Sequence, residues 1–105
     1  MAPRVKAVIF APKLFVSVSD PFEKLREQLA LQEWPNVYLF KFIVPNESDL
    51  LAKVMSLFGE VAEIALHESK TGKYISVSAK EVMVDVDSII EVYTRAAEIK
   101  GLIAL

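Results

Sequence analysis

The chain has 105 residues, 53% of them hydrophobic, and a formal charge of −2. That is enough for one small core and too apolar for wholesale disorder. It holds no cysteine, which excludes a disulfide framework, a thiolate metal site and a cysteine nucleophile.

Residues 1–18 read differently from the rest. They carry Arg4, Lys6 and Lys13 and no acid, whereas residues 19–105 hold the other nine basic residues and all 14 acidic ones. Pro12 and Lys13 interrupt the apolar run, so no stretch reaches the ~20 residues of a spanning helix. The segment reads as an apolar, basic leader: an extra strand at 5–10 or 14–18, or a disordered extension. The acidic body argues against non-specific nucleic-acid binding, which depends on neutralising phosphates.

A first helix is predicted over 20–33. Asp20 is placed to cap it, Pro21 suits its first turn, and Glu23 completes a capping box. Phe22, Leu25 and Leu29 form a narrow apolar stripe. The helix must end before Trp34-Pro35, because the residue before proline avoids the helical region. Residues 36–44 (NVYLFKFIV) form a nearly continuous apolar run, as a central strand does. Lys41 marks the more open face, shared with Leu39 and Ile43. Tyr38, Phe40, Phe42 and Val44 then face the helices.

A second helix is predicted over 46–58, capped by Asn46 and stopped by Gly59. Its inner face is Leu50, Leu51, Val54, Met55 and Phe58. Residues 61–79 read as two alternating strands around a glycine turn. Ala62, Ile64 and Leu66 share one side of the first arm, and Glu63, Ala65 and His67 the other. On the second arm Ile75, Val77 and Ala79 face inward, and Tyr74, Ser76, Ser78 and Lys80 outward. A slip of one residue would invert either arm, so the pattern fixes the register. A third helix follows over 88–100, capped by Asp85 or Asp87, with Ile89, Val92, Tyr93, Ala96 and Ile99 inside. Gly101 stops it, and residues 102–105 form a last strand.

After the first helix the order is strand-helix-strand-strand-helix-strand. This is the split β-α-β pattern of a ferredoxin-like α+β sandwich, two layers with a four-stranded antiparallel sheet. Right-handed crossovers put the first and third strands in the centre. The expected division is a leader over 1–18 and one domain over 19–105.

The run Ser69-Lys70-Thr71-Gly72-Lys73-Tyr74-Ile75-Ser76-Val77-Ser78 resembles the Ser-Lys-x-Gly-x-Tyr-x-Ser-Val-Ser signature of the YbeD-like proteins, a family of small bacterial proteins of unassigned function. Trp34-Pro35 and the strand that follows, and the closing Gly101-Leu102-Ile103-Ala104-Leu105, are similar to that family as well. The resemblance covers residues 20–105. It implies a ferredoxin-like fold akin to the ACT regulatory domains, and it supplies no catalytic residues.

Candidate chemistry is sparse. No nucleophile elbow, HExxH, phosphate-loop or dinucleotide fingerprint occurs. His67 is the single histidine, and Glu63 beside it makes no zinc site alone. No catalytic residue, metal or cofactor is therefore assigned. The turn Ser69, Lys70, Thr71, Gly72, Lys73 has the composition of an anion-holding loop. It has equally the composition of a soluble hairpin tip in which Gly72 supplies a positive φ. With Lys41, Tyr74, Ser76 and Ser78 it outlines a candidate binding surface on the open sheet face. The expectation is a cytoplasmic, non-enzymatic regulatory or interaction module that forms a homodimer and binds a protein or small molecule. RNA binding on the same face is the alternative, and Tyr74 is all it offers for base stacking.

Overall fold

The computed structural model describes residues 20–105, so the leader predicted for 1–18 lies outside the described residues. In chain order the elements are α1 (Glu23–Leu29), β1 (Asn36–Pro45), α2 (Ser48–Met55), β2 (Glu63–Glu68), β3 (Tyr74–Met83), α3 (Val86–Ala96) and β4 (Ile103–Ala104). Two compact units meet between Leu31 and Gln32, and α1 belongs to the first. The second unit, 32–105, holds one four-stranded antiparallel sheet in the order β2-β3-β1-β4. The first and third strands are central, as the crossover argument requires.

β1 and β3 pair over their full lengths, Asn36 with Met83 through Pro45 with Tyr74. Side chains alternate across a strand, so this register puts Phe40, Phe42, Val44, Ile75, Val77 and Ala79 on one face, and all are buried. Phe58 and Tyr93 close over them, with ring centroids 5.4 Å from Phe40 in both cases. Leu50, Val54, Ile89, Val92 and Ala96 complete the core. Each buried side chain of the Val, Ile or Phe type contributes about 2 kcal/mol. The opposite face carries Val37, Leu39, Lys41 and Ile43 from β1.

α1 is shorter than its predicted span. Phe22 occupies its cap without a side-chain bond. The Asp20 carboxylate instead accepts from the Phe22 amide at 2.9 Å and from Arg26 Nε at 3.1 Å. The box predicted from Asp20 and Glu23 does not form, because Asp20 stands two residues before the cap position at Phe22. The turn out of α1 starts at Ala30, and Trp34 joins Pro35 through a cis peptide bond.

α2 also contracts at both ends. Asn46 does not cap it, since its side-chain amide is drawn to the hairpin tip, donating to the Gly72 carbonyl at 2.8 Å and to Glu68 Oε2 at 3.1 Å. Glu47 sits at the cap without a side-chain bond. Met55, expected inside, is exposed, and Leu57 is buried in its place. The helix ends at Met55 and a tight turn follows, with the Leu57 amide on the Val54 carbonyl at 3.0 Å. That turn rotates Leu57 inward. Gly59 is not the stop. Its amide donates to Glu81 Oε2 at 3.2 Å.

α3 begins two residues before its predicted start, because Asp85 is the cap. The Ser88 amide donates to Asp85 Oδ1 at 2.8 Å, and the Asp85 amide donates to Ser88 Oγ at 3.3 Å, a reciprocal capping box. The helix ends at Ala96, but Ile99 remains buried. Gly101, at φ 79°, turns the chain into β4. A Cβ there would stand 2.8 Å from Pro45 Cγ, so backbone conformation and space both require glycine. β4 is shorter than the predicted 102–105. Ala104 pairs with Phe42 and Ile103 with Ile43, and the Leu105 amide reaches the Lys41 carbonyl at 2.9 Å.

Candidate binding surface on the open sheet face

The strand registers order the open face into rows. Val37 stands beside Val82, and Leu39 beside Lys80 and Glu63. Lys41 lies beside Ser78 and Ala65, and Ile103 lies beside Ile43, Ser76 and His67. Tyr74 ends the face opposite Pro45. The β1 and β4 side is apolar, with Val37, Leu39 and Ile103 each more than half exposed. The β3 and β2 side is polar. A shallow depression lined by Leu39, Glu63, Ala65, Ser78 and Lys80 marks the boundary.

Four of the predicted site residues thus share one surface, Lys41, Tyr74, Ser76 and Ser78, and Lys80 joins them as the partner of Leu39. Ser76 and Ser78 are half-buried. Ser76 Oγ donates to the His67 carbonyl at 3.3 Å. Among the described residues neither Lys41 nor Lys80 makes an ion pair; Asp20 with Arg26 is the pair recorded there. Periodicity missed Val37, Val82 and Ile103. Their alternation was present in the sequence, but only the β1–β3 and β1–β4 registers place them side by side.

The hairpin tip is a separate structure. The Ser69 amide donates to the Tyr74 carbonyl at 2.9 Å and the Gly72 amide to the Ser69 carbonyl at 2.9 Å. The Tyr74 amide donates to Ser69 Oγ at 3.2 Å. These amides are used within the turn rather than aimed at a ligand. The Glu68 carboxylate also lies against the tip, 3.2 Å from the position a Gly72 Cβ would take. Gly72 has φ 75°, the role its turn position predicted. Lys70 and Lys73 are exposed on this tip, not on the open face.

Beneath the sheet, on the helix side, lies the one strongly shifted group among the described residues. The Tyr93 hydroxyl stands 2.9 Å from that of Tyr38. Burial, and then the bond with Tyr38, push the Tyr93 phenol well above its usual range. A phenol held neutral inside a core is a structural hydrogen-bonding group, and it faces away from the open surface. Among the described residues no group of three histidine or carboxylate side chains is placed to hold a metal ion. None of their helices is long and apolar enough to cross a membrane.

A small α+β protein is the class this geometry defines: in the unit over 32–105 two helices pack on a four-stranded antiparallel sheet, and α1 lies in the other unit. Residues 30–104 match the family described as "Protein of unknown function (DUF493)", and the chain belongs to that family. No curated protein and no solved structure matches it.

Proposed function

We propose that this chain is a non-enzymatic interaction module of ferredoxin-like topology, a YbeD-like protein that acts through contacts as ACT-like regulatory domains do. The observation that carries the reading is the open sheet face. An apolar strip of Val37, Leu39, Ile43 and Ile103, interrupted on β1 by Lys41, runs beside Lys80, Ser76 and Ser78. Contiguous apolar surface rimmed by polar groups marks contact sites. Lysines without ion-pair partners favour a ligand or partner that brings a carboxylate. The strand order β2-β3-β1-β4 supports the ferredoxin-like assignment. Self-association in the cytoplasm is part of the same reading.

RNA binding gains nothing from this face. Among the described residues its aromatic rings are those of Tyr74, at the end of the central strand β3, and His67, on the edge strand β2, too few for a stacking platform. The reading is tested by titrating the 15N-labelled full chain with each of the twenty free amino acids as probes. A saturable shift of the Leu39, Lys41, Ser76 and Ser78 amides is expected with at least one carboxylate probe. Shifts confined to the hairpin tip, or none with any probe, would remove the small-molecule part of the reading.

A further inference from the structure

We infer that two copies of this chain join β2 to β2, antiparallel, in a register centred on Ala65, so that two four-stranded sheets continue as one. The inference rests on the self-association proposed above and assigns its surface. β2 is a sheet edge, and all of it but the half-buried Ile64 is exposed. Antiparallel ladders bond alternate residues. The Ser69 amide bonds the Tyr74 carbonyl within the register that pairs Glu63 with Lys80. Counting back by twos, Glu63, Ala65 and His67 direct their N–H and C=O groups to β3. Ile64, Leu66 and Glu68 direct theirs outward, to an edge that no strand among the described residues pairs.

Charges on an edge strand ordinarily keep other strands away. Here they suit one two-fold register. With Ala65 on the axis, Ile64 faces Leu66 of the partner subunit, and Leu66 faces Ile64 of the partner subunit. These are the outward-bonding residues, so each pair exchanges both main-chain hydrogen bonds. They also lie on the helix side, where Leu66 leaves 49% of its surface to solvent. On the open side Glu63 faces His67 of the partner subunit, at the closer, non-hydrogen-bonded sites, where Cα atoms stand ~4.5 Å apart. A neutral imidazole already has the N–H that a carboxylate accepts. Ala65 meets its own copy where a small side chain is needed. Moving the axis to Leu66 would set Ile64 against Glu68 of the partner subunit, and moving it to Ile64 would set Glu60 against the same carboxylate. One register satisfies backbone, apolar contact and charge together.

The chain has no native cysteine, so a single introduced thiol reports this geometry. In the full chain, Ala65→Cys should form a covalent dimer under mild oxidation at least about tenfold faster than Thr71→Cys at the hairpin tip, because Cα atoms ~4.5 Å apart lie within disulfide reach. In sedimentation equilibrium, His67→Glu should raise the dimer dissociation constant about tenfold, since it sets two like-charge pairs across the axis. The exchanged variant Glu63→His/His67→Glu should restore it. Equal crosslinking at both positions, or a dimer indifferent to His67→Glu, would place the interface elsewhere and overturn this inference while leaving self-association standing. A monomer at every concentration would remove both.

Discussion

At the scale of single residues, conformation and hydrogen bonding set the outcomes. Gly101 combines a positive φ with contact against Pro45. Gly101→Ala should cost about 2 kcal/mol, read as a lowered urea midpoint at unchanged slope. Asp85→Ala removes one half of a reciprocal cap and should cost about 1 kcal/mol in the same experiment. Tyr93 behaves differently with pH. Its phenol is harder to ionise in the folded chain than in the unfolded one, so the stability it contributes is complete below the unfolded phenol pKa of ~10. That stability falls as pH rises above this value, because the unfolded chain then gives up the proton first. The melting temperature should drop between pH 10 and 12, and the drop should be shallower in Tyr93→Phe. At neutral pH the same variant should lose about 1 kcal/mol through the bond to Tyr38.

At the scale of elements, much is legible in the sequence, and each departure from it has a cause. The alternation in 36–44 and 74–79 located the core faces, because Phe40, Phe42, Ile75 and Val77 repeat at the two-residue period. The inner face of α3 was equally plain from Ile89, Val92, Tyr93, Ala96 and Ile99. Helix ends were not. Asn46 is a good cap by residue type, but a hairpin tip distant in sequence claims its side chain. Met55 and Leu57 exchanged places because the helix ends one turn earlier than its apolar stripe, and periodicity carries no signal for that. Asp20 has the right chemistry for a cap and the wrong position. The open face was foreseen from Lys41, Leu39, Ile43 and the serines, whereas the places of Val37, Val82 and Ile103 on it needed the registers. Phe40→Ala, at the meeting point of Phe42, Phe58 and Tyr93, should cost about 4 kcal/mol by thermal or urea unfolding.

At the scale of the whole molecule, the sheet has two distinct outer surfaces. Its helix-side face is filled by aromatic and aliphatic side chains and is committed to the core. Its other face and its β2 edge are not used within residues 32–105. They carry apolar groups and charges in complementary placement. An interaction module uses such surfaces, and the family description leaves the role open to that reading. In the proposed reading the face takes a small carboxylate ligand on its lysines and hydroxyls, and the edge takes a second copy. The measurement that tests this most directly is the mass of the full chain in solution across a dilution series, by light scattering. The account predicts twice the 11.7 kDa of one chain at high concentration, falling toward one chain on dilution. A mass of 11.7 kDa at every concentration would contradict it.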